Sequence, residues 1–296
     1  MKRHDSWPAR RALNRLGREI GIAHKVTKSN ATIGTLPFSL ITFSQISASE
    51  GSIGTFIYIG VSGYTYTFLT IYSFDLSNQL SGIKEDRINK ADRPLVTGIL
   101  SPIGAALRLI ASSAAFVTIS IGFDVFWWAI AWICIFTLNN HLGLAKHPFT
   151  KPMIVGIQGF IQMMSAWQFS GGGWEIFWWA LPVSFLLAAL MPLQDLRDVV
   201  GDCAVGRITL PILFGDKKVR RYLTYAFCVT PFAMHYTAFR AINPGLFAEL
   251  TLSSICAITV VRLIQFKGID EDDLTYRTLV LWYCCATSTP LIHFAS

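Results

Sequence analysis

The chain is laid out as a series of apolar stretches, most of them near the length a helix needs to cross a bilayer, about 20 residues. Nine can be marked, near residues 32–49, 54–77, 99–121, 125–142, 153–169, 175–194, 220–239, 246–266 and 275–294. Some are short or carry Gly and Pro. Bundled membrane helices tolerate this, because neighbouring helices re-satisfy the freed backbone groups. Composition agrees: only 15% of the 296 residues are charged, against about 25% in soluble domains. The expected fold is an all-α polytopic membrane protein with nine transmembrane helices in one bundle.

The basic residues test this layout. With the N-terminus in the cytosol, the N-terminal segment and the connections after spans 2, 4, 6 and 8 face the same side. Those regions and the adjoining helix ends hold all of the 25 Lys and Arg except Arg108, inside span 3, and Arg240, on the far side. Basic residues favour the cytoplasmic face, so the net charge of +7 reports topology and not nucleic-acid binding. Residues 1–31 are expected to form a cytosolic basic amphipathic segment, and residues 32–296 a nine-helix transmembrane domain. Within the first segment, Leu13, Leu16 and Ile20 share one helical face, as in a helix lying on anionic lipid. A mitochondrial transit peptide is the rival reading, against which Asp5 and Glu19 count.

Two polar patches interrupt the apolar pattern on the cytosolic side. "SNQLSGIKEDRINKADRP", Ser77 to Pro94, carries seven charged side chains between two spans. Asn78, Gly82 and Asp86 are spaced i, i+4, i+8. In "QDLRDVVGD" Asp195, Asp198 and Asp202 are spaced i, i+3, i+7. If each patch continues its span as helix, each set shares one face. Stacked carboxylates call for a counter-ion, and Mg2+ prefers oxygen ligands and bridges carboxylates to phosphates. Lys84, Arg87, Lys90, Arg93, Arg197 and Arg207 are interleaved with or follow the acids, a mixture that suits a diphosphate held through metal and cationic contacts. One such patch alone reads as a solvated loop. Two at matching helix ends read as a site, and a charged head above an apolar bundle has the shape of an isoprenoid diphosphate.

"EDRINKADRPLVTG" and "DLRDVVGDCAVGRITLPILFG" resemble the two aspartate-rich signatures of the UbiA-type intramembrane prenyltransferase superfamily, in order and position, over nearly the whole chain. The resemblance implies a UbiA-like nine-helix bundle with Mg2+ as cofactor. It gives Asn78, Asp86, Asp195, Asp198 and Asp202 the catalytic, metal-holding role. Arg87, Lys90 and Arg93 would bind diphosphate, with Lys146 after span 4 and Arg197 in the second patch beside them. The first motif departs from the usual N-D-x-x-D-x-x-x-D: Gln79 and Gly82 stand where two carboxylates are expected. This N-x-x-x-G-x-x-x-D pattern is similar to the fungal membrane-bound terpene cyclase branch and makes Gly82 and Gln79 specificity positions. The expected activity is Mg2+-dependent ionisation of farnesyl diphosphate, with geranylgeranyl diphosphate second, and closure of the carbocation to a terpene hydrocarbon. The alternative is prenyl transfer to an aromatic or lipophilic acceptor. A transporter or scaffold without catalysis fits two intact diphosphate motifs less well. The expected partners are the prenyl diphosphate and membrane lipid, with no nucleic acid and no protein partner inferred. The expected location is multi-pass in the endoplasmic reticulum membrane, with the site facing the cytosol.

Other features carry less. Trp127–Trp128 and Trp178–Trp179 read as an interfacial aromatic belt, and Trp167 as packing or belt before cavity wall. Asn139, Asn140 and His141 either face the site or mark the interface. "SGGG" at 170–173 reads as a turn and "GIDEDD" at 268–273 as a solvated loop. Arg108 should snorkel or pair. The six cysteines lack metal-type spacing and read as reduced and structural.

Overall fold

The computed structural model describes residues 7–49, 52–204 and 206–295; residues 1–6, the start of the expected N-terminal segment, lie outside it. Among the described residues every regular element is helical. An N-terminal helix α1 (Trp7–Thr27) precedes α2 (Ala31–Ala48) and α3 (Ile53–Ser81). A short α4 (Ile83–Asn89) leads to α5 (Pro102–Gly122), α6 (Phe126–Asn140) and a 3-10 turn at Leu144–Lys146. Next come α7 (Thr150–Phe169), α8 (Phe177–Leu190), α9 (Leu193–Ala204), α10 (Leu210–Phe214) and α11 (Asp216–Tyr236). The chain ends with α12 (Ala238–Ala241), α13 (Leu246–Gln265) and α14 (Ile269–Ala295).

The nine predicted stretches coincide with α2, α3, α5, α6, α7, α8, α11, α13 and α14. In that order each packs on the next, and α14 returns to pack on α2, closing a ring; α2 also packs on α7 across its middle. By length and composition alone, α5 and α13 are apolar enough to cross a membrane, and α8 with α9 form a third crossing if the 43° bend between them interrupts a single span. The others carry polar side chains that the ring takes inside, among them Thr42 and Ser44 of α2, Asp75 of α3 and Gln158 of α7. In α5 and α13 the apolar side chains point outward instead, as at Ile103, Leu107, Ile110 and Leu250, the arrangement expected of a lipid-facing surface. Small residues let the ring close tightly. A Cβ on Gly156 of α7 would lie 2.8 Å from the Ser184 carbonyl of α8, the close approach typical of membrane helix pairs.

α1 lies outside the ring and packs on α3. Its Ile22 and Val26 join Tyr72, Leu76, Leu95 and Leu100 in a small apolar cluster of their own, while Leu13, Leu16 and Ile20 are exposed on the expected face. Arg108 finds its partner here: its guanidinium holds Glu19 of α1 with contacts of 2.6 and 2.7 Å. "GIDEDD" is corrected by the structure. It is not a solvated loop but the first turns of α14, where acidic side chains favour the helix dipole. Asp272 pairs with Arg220, Asp273 with Arg197 and Arg277, and Glu271 with Arg262. "SGGG" is a turn: Gly171 has φ +98°, and a Cβ on Gly172 would overlap the Trp167 indole. Trp167 itself is buried and donates to Glu175 at 2.8 Å, and all six cysteines are free.

Candidate active site

Both polar patches extend ring helices beyond the apolar core. α3 passes into α4 through Gly82 alone. The Gly82 amide donates to the Asn78 carbonyl and the Asp86 amide to the Gly82 carbonyl, each at 2.9 Å, so the helical register carries through the break. α8 bends by 43° into α9, which carries Asp195, Asp198 and Asp202. α4 packs on α9, and the two motifs, far apart in sequence, meet as one cap over one end of the ring.

In this cap each acidic side chain has a basic partner. Asp86 accepts from Arg93 Nη1 at 2.6 Å, both side chains buried. Asp195 pairs with Lys151 at the start of α7. Asp198 lies 3.3 Å from Arg197 Nε. Asp202 lies 3.3 Å from Arg207 Nη1, and Arg207 Nη2 reaches Glu85 of α4 at 2.8 Å, so Arg207 bridges the two motifs. Among the described residues no three His, Cys, Asp or Glu side chains converge as a ready metal cluster; the basic partners hold the charge a metal ion would balance. The donor set nonetheless fits a hard divalent cation. It consists of carboxylates plus the Asn78 amide, and Asp202 Oδ2 is buried with no hydrogen-bond partner, a costly state unless something positive approaches it.

The cations divide into two groups. Arg93 and Arg197 are engaged, Arg197 also donating to Asp273 at 2.6 Å and lying 4.3 Å over the Tyr276 ring. Arg87 and Lys146 are exposed. Lys90 lies between the motifs: burial, and then the Arg93 charge, hold its ammonium below the ordinary lysine range, while Asp198 and Asp86 pull the other way. Burial raises the Asp86 carboxyl above the usual carboxylate range, against the opposing charge of Arg93.

Gln79 bonds none of these acids or bases. It is wholly buried and donates through Nε2 to the Val26 carbonyl of α1 at 3.1 Å. A Cβ on Gly82 would press on the Asn78 backbone carbonyl at 3.0 Å and lie 4.0 Å from Asp86 Oδ2. Asn140 and His141 do reach the site's edge, hydrogen-bonding Ser77 at 3.1 and 3.0 Å. Sequence reasoning assigned no role to Lys151, which it counted only as a loop charge, nor to Glu85. Their signal was a partner far away in the chain.

The UbiA prenyltransferase family profile matches residues 36–284. The chain is 34% identical to somaliensene A/B synthase of Streptomyces somaliensis, over 78% of each chain. It is 32% identical to the diterpene cyclase eriG of Hericium erinaceus, over 75% of this chain and 72% of that one. It is 31% identical to the polyprenyl transferase eriF of the same fungus, over 75% and 77%. Among solved structures, a UbiA homologue from Archaeoglobus fulgidus bound to GPP and Mg2+ superposes with a TM-score of 0.65 at 15% identity, over 90% of this chain and 99% of that one. A digeranylgeranylglyceryl phosphate synthase in membranes gives 0.66 at 17%, over 93% and 98%. These structures share the fold, and the chain belongs to the UbiA prenyltransferase family.

Proposed function

We propose that this protein is a membrane-bound terpene cyclase that ionises a prenyl diphosphate and closes the resulting carbocation on itself. The observation that carries this reading is the joining of α4 and α9 into one acid–base cap over an apolar ring, with Gly82 in place of a carboxylate. Its similarity to somaliensene A/B synthase and to a diterpene cyclase supports it. Its similarity to a polyprenyl transferase keeps transfer to a lipophilic acceptor as the second reading.

Asn78, Asp86, Asp195, Asp198 and Asp202 would hold Mg2+, as magnesium accompanies GPP in the archaeal relative; bound there, it stabilises the charge on the departing diphosphate. The basic side chains do the rest. Arg93, Lys151 and Arg207 neutralise carboxylates in the free protein and turn to the diphosphate once those carboxylates are otherwise compensated. Charge-assisted contacts to phosphate are among the stronger hydrogen bonds. Lys90, Arg87 and Lys146 add charge at the rim. The prenyl tail lies inside the ring, where Phe38, Tyr66, Phe116 and Trp132 line a cavity of about 10 Å³. That space must widen by side-chain movement to take the chain, and its aromatic faces stabilise a carbocation by roughly 0.5–2 kcal/mol each. The site opens to the cytosol, in our reading from the endoplasmic reticulum membrane.

Farnesyl diphosphate is the first substrate to test and geranylgeranyl diphosphate the second, the diterpene cyclase relative adding weight to the longer chain. Membranes carrying the protein are incubated with each diphosphate and Mg2+, without acceptor, and the hydrocarbons extracted. A cyclic hydrocarbon is expected. Product formed only on adding an aromatic or lipophilic acceptor would establish the second reading, and no diphosphate release from either substrate would overturn both.

A further inference from the structure

The helical face that carries Gly82 and Asp86 runs back along α3 to two residues that meet the N-terminal segment. Asp75, Gln79, Gly82 and Asp86 stand at i, i+4, i+7 and i+11, one face of α3 and α4. The first two are fully buried, and both hydrogen-bond to the N-terminal segment: Gln79 Nε2 to the Val26 carbonyl, and Asp75 to Asn30 Nδ2 in the turn between α1 and α2. Val26 lies in the last turn of α1, where carbonyls lack a helical partner, so Gln79 caps α1. A carboxylate at 79 would set acceptor against acceptor. Two exposed ties flank this pair, Lys28–Asp92 and Arg108–Glu19, and Ile22, Val26, Tyr72 and Leu76 seal it with apolar contact.

We propose that Gln79 and Asp75 form a clasp that closes the N-terminal segment over the reacting end of the substrate and keeps water from the carbocation. They are positioning residues that steer the product, not metal ligands. The clasp deepens the cyclase reading and rests on it for its purpose. A carbocation that meets water gains a C–O bond from the water oxygen, loses a proton to solvent and leaves as an alcohol; closing a site prevents such side reactions. The clasp is also built to open. Gln79 Oε1 and Asp75 Oδ2 are both buried without partners, and a partly satisfied buried network is a weak point of a fold, so release of α1 to admit substrate is not opposed by a complete set of bonds.

The test compares Gln79→Met, Gln79→Glu and Asn30→Ala with the parent protein in H2(18)O, following diphosphate release, the ratio of 18O-labelled alcohol to cyclic hydrocarbon, and hydrogen exchange of α1. Each variant is expected to speed exchange in α1 and to raise the alcohol ratio roughly 2–10-fold, the weight of one hydrogen bond, while diphosphate release continues. Gln79→Glu separates the roles. If position 79 served the metal, the new carboxylate would lower the Mg2+ concentration for half-maximal release and leave α1 protected, and that result would overturn the proposal. An unchanged alcohol ratio with a loosened α1 would also overturn it. Asn30→Ala touches neither motif, so it keeps the test open if a Gln79 variant does not fold. Should the parent protein make only acceptor-dependent product, the cyclase reading fails, and exchange in α1 still decides whether the clasp exists.

Discussion

At the scale of single residues, the site turns on what Gly82 and its neighbours leave out. With φ −105°, Gly82 imposes no left-handed strain, and Gly82→Asp needs the Asn78 carbonyl, 3.0 Å from a Cβ there, to give way slightly for the variant to fold. Its carboxylate would begin beside Asp86, with a Cβ 4.0 Å from Asp86 Oδ2. The expected result is a lower Mg2+ requirement together with an altered product mixture, read by Mg2+ titration and product analysis. Unchanged rate and product would show that the gap at 82 has no part in cyclisation. Asp202 is the more conventional case: wholly buried, with one oxygen unpartnered. Asp202→Asn should lower turnover on the order of a hundredfold or more, as loss of one electrostatic contact in a dry site does, with normal membrane insertion. Lys90 sets a pH limit. Because burial and Arg93 depress its pKa, it loses its proton as pH rises before an ordinary lysine would, and diphosphate binding weakens. Lys90→Arg keeps the charge and should extend the alkaline side of the KM profile, whereas an unmoved profile would remove Lys90 from the diphosphate contacts.

At the scale of elements, the ends of helices carry the long-range ties. Arg220 of α11 and Asp272 of α14 are both buried and joined at 2.7 Å, with Asp216 also on Arg220 at 2.9 Å. Removing one member leaves the other charge buried and alone. Arg220→Met should therefore destabilise the protein by about 3–5 kcal/mol, and adding Asp272→Leu should recover much of the loss. Thermal unfolding in detergent tests this, and equal stability of the single and double variants would refute it. The helices themselves were legible in the sequence, because each predicted apolar stretch coincides with a helix, although among the described residues only α5, α13 and the bent pair α8–α9 are apolar enough by composition to cross a membrane. The acidic start of α14 was not. "GIDEDD" looks like a solvated loop by composition, and only its partners on α9, α11 and α13 show why acids are there.

At the scale of the whole molecule, the ring brings α4 and α9 together, and the cap is already charge-balanced by its own bases. Folding should therefore not depend on metal. Chelation of divalent cations is expected to stop diphosphate release while leaving helix content and unfolding temperature unchanged, measured by circular dichroism. Loss of helix on chelation would mean that the pairs of Arg93, Lys151 and Arg207 do not carry the charge balance proposed for them. The amphipathic α1 adds an outer layer to this design, with Leu13, Leu16 and Ile20 exposed on one face and the other packed on α3.

The sequence alone determined the all-helical class of fold and, through resemblance to a known family, the identity of both motifs. The first rests on the apolar length that lipid demands, the second on two long signatures that resemble those of the family. What the tertiary structure decided is who faces whom. The resemblance made Gln79 a specificity position beside Asn78, and the fold ties its side chain to α1. It treated Arg93 and Arg197 as open phosphate contacts, and the fold tied them to Asp86 and to Asp198 and Asp273. Periodicity can say that residues share a face; it cannot say what that face meets. Lys151 with Asp195, Arg207 with Glu85 and Gln79 with Val26 are contacts between segments distant in the chain, and only closure of the ring brings them together.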